Sequence, residues 1–437
     1  MNKKIKILIF FAACVAILHL FPGGKKALYD IISGHKPDGF VLVWPFTRVI
    51  FEPFVAFCEY LLSIVYYGPQ LLSWVLWIFI FCLGYGIKER QKFAGIGALF
   101  LRYLLIFISF VTAVLIVPLP VPRLNAPSNF TKIDFHSHTY FSYDAIDSPK
   151  SNLRFHDRLG FDLFFATEQQ NTNSLDHFDK KARLSKVFPG VQVRTKDGNA
   201  LLVLGEKYFD GREFAKKRNH EIIALAHSKN LLVICPHWWK WRTPSIEEIY
   251  KAGVDGFEVY NPGYMQLAET ERQSIISFCE GKNLLMTSAT DWHGWGAFSD
   301  VWTVVEEKPD RVKAHPVQYL KTRPKTMVLV NSRNESQKKI RYYLEPFFAI
   351  YYYFSTLGVW ECLSWLVWVL LLILLFSWKR IFFGIISAAF FAGAAYYLGI
   401  AFSIKDNETI LPLVVPALFL IGLGWLIAAI LPARKKT

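Results

Sequence analysis

Residues able to hold a metal ion recur in this chain at short spacings. Asp134-Phe135-His136-Ser137-His138-Thr139 is followed by Ser142 and Asp144; further on stand Thr167-Glu168-Gln169, Gly205-Glu206, Cys235-Pro236-His237 and Asp291-Trp292-His293. A His-x-His step on an extended segment puts two imidazoles on one side of the chain, because side chains there alternate with period two. Asp-x-His does the same with one oxygen and one nitrogen donor. Imidazole mixed with carboxylate suits zinc, iron or manganese better than calcium or copper(I). Any one of these histidines, taken alone, is more often a surface or core residue than a ligand. Nine of the eleven fall between residues 123 and 345, however, and two such pairs together with strand-end Glu and His favour a metal. The six cysteines are scattered without a CxxC spacing, which argues against a disulfide framework or a zinc knuckle.

Something must bring these groups together. Short β-branched or aromatic runs alternate with helical stretches here, the pattern of a parallel α/β fold. Strands are expected at 132–135, 163–167, 201–204, 231–234, 256–260 and 284–288, with helices at 172–186, 245–253 and 266–281. Nearly every chemistry-bearing group follows one of these strands. That is the carboxyl end, where barrel active sites are built.

Asp134-x-His136-x-His138-Thr139-x-x-Ser142-x-Asp144 resembles the first motif of the PHP (polymerase and histidinol phosphatase) domain, and Gly205-Glu206 and Asp291-x-His293 resemble its later motifs in the same order. The resemblance covers about residues 130–300. The amidohydrolases also begin with His-x-His, but typically end on a lone Asp. The resemblance implies a distorted (β/α)7 barrel with divalent metals at its mouth, usually serving phosphoester hydrolysis. Carried onto this chain, it implies His136, His138, Asp144, Glu206, His237, Asp291 and His293 as ligands. Asp144 and Asp291 would also serve the reaction, and Glu168 would be a ligand or general base. Three positions depart from the family's pattern. Gln169 stands where an imidazole is usual. Cys235-Pro236-His237 replaces His-Pro, so either Cys235 or, preferably, His237 takes that place. His220, the counterpart of a further family histidine, falls in a stretch that reads as a helix. One or two ions of zinc, manganese or iron are therefore expected per chain.

Composition adds a membrane. The mean hydropathy is +0.26, 53% of residues are apolar and 16% aromatic. Apolar runs at 5–20, 71–87, 98–117, 363–378, 381–402 and 410–431 approach or reach the length that crosses about 30 Å of hydrocarbon. The expected organisation is a membrane region at 1–122, the α/β domain at 123–345 and a second membrane region at 346–437. Pro118, Pro120 and Pro122 end any helix leaving the membrane. With an uncleaved signal anchor after Lys3, Lys4 and Lys6, six spans place the basic clusters at Lys88–Lys92, Lys379-Arg380 and Arg434–Lys436 on the cytoplasmic side with both termini. The α/β domain then lies on the extracytoplasmic face. The segment 46–67, carrying Arg48, Glu52 and Glu59, is expected along the outer interface rather than across it.

Net charge is +14, yet residues 123–345 hold 32 Lys/Arg against 27 Asp/Glu, so most of the excess flanks the spans. No basic stripe interleaved with exposed aromatics marks a nucleic-acid binder. Lys207, Arg212 and Arg242 follow ligand-bearing segments and could hold phosphate, or could be solvated surface cations. Trp238, Trp239, Trp241, Trp292 and Trp295 crowd the same strand ends, in a manner suited to sugars or a lipid headgroup layer. The expected function is a membrane-anchored, extracytoplasmic metal-dependent phosphoesterase acting on a phosphate-bearing lipid or envelope substrate. The alternative is a metal-binding sensor without turnover. A transporter or assembly role is disfavoured by spans with few charges and no evident repeat.

Overall fold

The polar half of the chain forms one α/β unit around a strongly curled sheet. The computed structural model describes residues 28–64, 68–90, 92–116, 120–178, 185–238, 243–261, 269–295, 301–331, 343–355, 359–375 and 411–430, with scattered single positions elsewhere. The chain divides into two units. A helical unit comprises residues 1–25, 46–119 and 336–437, and a polar unit comprises 26–45 and 120–335.

The polar unit contains β1 (Leu28–Asp30), β2 (Val41–Val43), β3 (Arg123–Asn125), β4 (Thr131–Asp134), β5 (Leu163–Gln169), β6 (Lys186–Arg194), β7 (Ala200–Leu204), β8 (Leu232–Cys235), β9 (Gly256–Tyr260), β10 (Leu285–Ser288), β11 (Val301–Val305) and β12 (Thr326–Asn331). Ten of these strands form one sheet in the order β1-β12-β11-β4-β5-β6-β7-β8-β9-β10, and β2 pairs with β3. From β4 to β10 the sheet curls until its last strand approaches its first. Beyond the strand ends, Ser137 bridges Trp292 in parallel, and Asp291 N donates to His136 O at 2.9 Å. Lower down, Ser288 N donates to Thr303 Oγ1 on β11 at 2.7 Å.

The six strands expected in this region all form. Their near-continuous apolar runs suit strands covered on both faces. One face carries Phe165, Phe188, Leu202, Leu204, Leu232 and Ile234, all buried together. The other carries Val191, Val193, Val203, Val233, Cys235 and Phe257, buried with Ile222, Ile249 and Ile275 of the flanking helices. Those helices include Asn219–Ser228, Ile246–Lys251 and Glu269–Lys282, and the latter two match the expected positions. The helix Pro149–Leu159 is delimited by chemistry visible in the sequence. Ser148 caps Ser151 N, Pro149 stands in the first turn, and Gly160 closes the other end at φ 85°.

Three expectations need correction. No helix spans 172–186; a short 3-10 turn, Asn173–His177, is followed by β6, while 179–184 lie outside the described residues. The Pro189-Gly190 pair hid that strand, although Pro189 still accepts from Gly205 N at 2.9 Å. Nor is the curled sheet all parallel: β7 runs antiparallel to both β6 and β8, whereas β4–β5–β6 and β8–β9–β10 are parallel. Residues 28–30, expected in the N-terminal membrane region, instead add β1 to the edge of the sheet against β12.

The helical unit contains α1 (Phe46–Ile50), α2 (Glu52–Ile64), α3 (Gly68–Lys88), α4 (Phe93–Ile116), α11 (Glu345–Ser355), α12 (Val359–Leu375) and α13 (Leu411–Ile430); the four polar-unit helices above, with Pro309–Ala314 and Pro316–Lys321, are α5 to α10 in chain order. Among the described residues, two helical stretches are long and apolar enough to cross a membrane, Gln70–Lys88 and Phe93–Thr112. The runs 5–20 and 381–402 lie largely outside the described residues.

Candidate metal centre

The turn after β4 delivers His136 and His138 into the mouth of the curl. The turn after β10 delivers Asp291 and His293 opposite them, and the turn after β8 delivers His237. Two groups of potential ligand atoms result, His136 with His237 and Asp291, and His138 with Asp291 and His293; within each, the atoms lie within 4.8 Å of one another. Asp291 belongs to both. Its Oδ1 stands 3.3 Å from His136 Nε2 and 3.3 Å from His138 Nε2.

Three of the imidazoles are oriented from behind. His136 Nδ1 lies 3.2 Å from Glu258 Oε2. His138 Nδ1 lies 3.1 Å from Ser142 Oγ, whose own hydrogen goes to Glu168 Oε2 at 2.6 Å. His293 Nδ1 lies 2.6 Å from Asp291 O. Each Nδ1–H is thus committed to an oxygen, leaving Nε2 to present its lone pair to the centre, the arrangement by which proteins fix metal-binding histidines. The Gln192 amide lies 3.2 Å from His237 Nε2. Asp291 and His237 both have positive φ, 48° and 28°, a costly conformation for residues with a Cβ and one concentrated at functional sites. Gly294, at φ 80°, completes the Asp291 turn; a Cβ there would come within 2.5 Å of Asp147 N.

Electrostatics follow from this crowding. Burial opposes protonation of His136, but Asp291 and Glu258 raise its pKa. Burial and the charge of His293 lower His138 to about 4. Burial also opposes protonation of His293, yet the hydrogen bond to Asp144 and the charge of Asp291 carry it up to about 9. Burial pushes against ionisation of Asp291 too, and the surrounding histidines, His136 first, hold its carboxyl well below the usual range. The residues fit a divalent cation. Asp291 is 5% exposed, and its Oδ1 accepts no well-formed hydrogen bond although two imidazole nitrogens face it. Buried acceptors are normally satisfied, and lone pairs facing one another need a proton or a cation between them.

Asp144 lies at the outer edge, with Oδ1 3.4 Å from His293 Nε2. Gln169, the amide in place of an imidazole, donates to both Asp144 oxygens at 3.1 Å, so it positions a carboxylate. Glu168 does not face the ligand nitrogens. It is fully buried beneath the loop 139–142, accepting from Thr139 N, Thr139 Oγ1 and Ser142 Oγ. Glu206 is a correction. Because β7 runs against its neighbours, its carboxyl end lies at the far end of the curl. There Glu206 accepts from Gln318 N at 3.0 Å and meets His315, with Lys207 exposed beside it. Cys235 points into the helix-covered core, which leaves His237 as the residue at the centre.

His220 and Arg212 are exposed, Arg212 paired with Asp210. Arg242, Trp239 and Trp241 lie outside the described residues. The remaining tryptophans are largely structural. Trp292 is 7% exposed and stacks on Phe155 with ring centroids 4.3 Å apart, while Trp238 Nε1 donates to Pro244 O and Trp295 Nε1 to Asp144 O. Sequence reasoning missed Glu258, Gln192 and Arg194. A lone carboxylate inside the apolar Gly256–Tyr260 strand was a usable signal, since a buried charge demands a partner. Gln192 and Arg194 share a face of β6 by alternation, which sets Arg194 one step beyond Gln192 towards the mouth. There its charge acts on the phenol of Tyr143, against the stronger upward push of burial and of Asp144.

No family model matches this chain, and no curated protein matches it. Solved structures do resemble parts of it. A protein from Bifidobacterium adolescentis assigned as a metal-dependent phosphoesterase is 14% identical, over 38% of this chain and 88% of that one, with a TM-score of 0.32. A two-domain protein from Bacteroides vulgatus containing a predicted PHP-like metal-dependent phosphoesterase is 19% identical, over 46% and 65%, with a TM-score of 0.34. The lesion-specific endonuclease of Pyrococcus furiosus is 15% identical, over 43% and 56%, with a TM-score of 0.32. At such TM-scores the chemistry rests on the side chains described above.

Proposed function

We propose that the polar unit is a divalent-metal-dependent phosphoesterase of PHP type, anchored in a membrane and acting on a lipid-linked or other envelope phosphate. The observation that carries this reading is Asp291 Oδ1, shared between two groups of imidazole nitrogens and otherwise unsatisfied. A cation held by His136, His237, His138, His293 and Asp291 would lower the pKa of a bound water to about 7, supplying hydroxide at neutral pH. The protein's own part is to hold the Nε2 atoms in place through Glu258, Ser142 and the Asp291 carbonyl. Asp144 is held ionised: burial opposes this, but His293 and the Gln169 amide outweigh it. It stands where a carboxylate could take the proton of an attacking water. Arg194, on the Gln192 face of β6 with its charge felt by Tyr143, is a cation that could receive a phosphate oxygen. The lipid part of the proposal rests on the apolar helices Gln70–Lys88 and Phe93–Thr112, joined by sequence to the polar unit.

A sensor without turnover is the second reading, favoured by Gln169, whose amide occupies both oxygens of Asp144. The full chain, purified with manganese, zinc or iron, separates the two. The enzyme reading expects hydrolysis of a phosphomonoester or phosphodiester, phospholipid included, that a chelator stops reversibly and Arg194→Ala weakens mainly through KM. Tight metal binding with no turnover on any of these would leave the sensor.

A further inference from the structure

The helical unit contains a sequence repeat that is plain only once its contacts are seen. Glu52-Pro53-Phe54-Val55-Ala56, with Tyr60 further on, recurs as Glu345-Pro346-Phe347-Phe348-Ala349 with Tyr353 at the same distance. Leu72-Ser73-Trp74 with Trp77 recurs as Leu363-Ser364-Trp365 with Trp368, after a slightly shorter link. Even the arginine four residues before the first glutamate, Arg48, has its counterpart in Arg341. The first copy is α2 with α3, the second α11 with α12, and the polar unit is inserted in sequence between them.

Equivalent residues make equivalent contacts, and all but the Trp–Tyr hydrogen bonds run across to the other copy. Tyr60 OH donates to Glu345 Oε1 at 3.3 Å, and Tyr353 OH donates to Glu52 Oε1 at 3.0 Å. Trp74 Nε1 donates to Tyr60 OH at 3.0 Å, and Trp365 Nε1 to Tyr353 OH at 2.6 Å. Trp77 Nε1 donates to Tyr343 O at 2.6 Å, and Trp368 Nε1 to Ile50 O at 2.7 Å; each acceptor stands two residues before its copy's glutamate. Trp77 meets Phe347 edge-on at 4.5 Å, and Phe54 meets Trp368 edge-on at 4.8 Å. Such reciprocity, residue i on j and j on i, is the signature of a twofold interface.

We infer that the helical unit is an internal duplication whose two copies interlock about a pseudo-twofold axis through the swapped pairs Tyr60–Glu345 and Tyr353–Glu52, and that α3 and α12 therefore enter the membrane from the same face. The direction follows from length. At 1.5 Å per residue, α2 with 13 residues and α11 with 11 are each too short to cross about 30 Å of hydrocarbon. α3 and α4 go across and back, which returns the chain to the face it left before the polar unit begins. The second copy then starts from that face, so α3 and α12 run the same way and the axis lies along the membrane normal, as in parallel-repeat membrane proteins. The part-buried glutamate–tyrosine–tryptophan chains are the latches that hold the copies together.

This inference shares only the membrane anchoring with the proposed function, and its test reads no hydrolysis. The full chain in lipid nanodiscs is melted with Tyr60→Phe, Glu345→Gln and the double variant, and with Tyr353→Phe, Glu52→Gln and their double. In both cycles the double variant is expected to lower Tm by clearly less than the two single shifts combined. Additive shifts in either cycle would overturn the swapped latch. Should a variant fail to fold, cysteines at exposed ends give the direction independently. Phe46→Cys and Leu344→Cys are expected to react with a membrane-impermeant maleimide from one side of sealed vesicles, above the unsubstituted chain, and Lys88→Cys only from the other. Labelling of Phe46→Cys and Leu344→Cys from opposite sides would overturn the parallel arrangement.

Discussion

Asp291 and Glu258 divide the electrostatic work of the centre between them. Asp291 faces the imidazole Nε2 atoms directly, while Glu258, wholly buried, works through His136 Nδ1 and the His237 backbone. Glu258→Gln keeps the volume but weakens the anchor of His136. It is expected to lower metal affinity about 10- to 100-fold, the usual cost of losing such a partner, with the far-UV circular dichroism unchanged; metal titration checks it. His293 sets the pH dependence. Its pKa of about 9 lies above the ordinary 6.5, so at pH 7 an arriving cation must displace a proton. Affinity should therefore climb as pH rises towards about 9 and level off beyond it, with proton release visible in calorimetry across buffers of different ionisation enthalpy. In the metal-free protein the sign is opposite: the raised pKa contributes stability that is fully present below 6.5 and is lost as pH rises through about 9.

At the scale of elements, the direction of one strand decides which acidic residue serves the site. β7 is hydrogen-bonded antiparallel on both sides. Its carboxyl-end residue Glu206 thus sits with His315 and Gln318, while the neighbouring strands present Gln169, Gln192 and His237 at the other end. Glu206→Gln is expected to leave metal content and any turnover within about twofold of the parent, as surface changes away from a site usually do. His237→Ala should cost metal. Loss of metal in Glu206→Gln would instead make Glu206 a ligand. The loop 139–142 is the other element that matters, and Glu168 anchors it. Three of the roughly four lone-pair sites of its carboxylate are taken by donors of that loop.

At the scale of the whole molecule, the polar unit is not one continuous stretch. Asp30 on β1 accepts from Ser33 Oγ at 2.7 Å and from Val328 N at 2.9 Å, joining residues from opposite ends of the unit. Asp30→Ala leaves the buried Val328 N without its acceptor, which costs about 1–3 kcal/mol. The expected result is a lower Tm for the polar unit with the metal site intact. An unchanged Tm would mean that β1 is peripheral to stability. The helical unit is held by the reciprocal contacts of its interlocked copies.

The amino-acid sequence alone determined six of the ten sheet strands, because apolar runs bounded by turn residues leave little choice there, and it determined which residue types stand just beyond them. It also placed His136, His138, His237, Asp291 and His293 as candidates, since alternation and strand-end position are local properties. What lay beyond it were properties of pairing. Strand direction is fixed by which neighbours a strand bonds, so Glu206 read as a ligand until β7 was seen to run the other way. Glu258, in mid-strand, gave no sign of which face it occupied until the sheet curled around it. The repeat in the helical unit stayed hidden because its two copies are split by the larger stretch of the polar unit, residues 120–335, and held by a few scattered polar side chains. Only when Tyr60 meets Glu345, and Tyr353 meets Glu52, do two similar stretches of sequence become one interface.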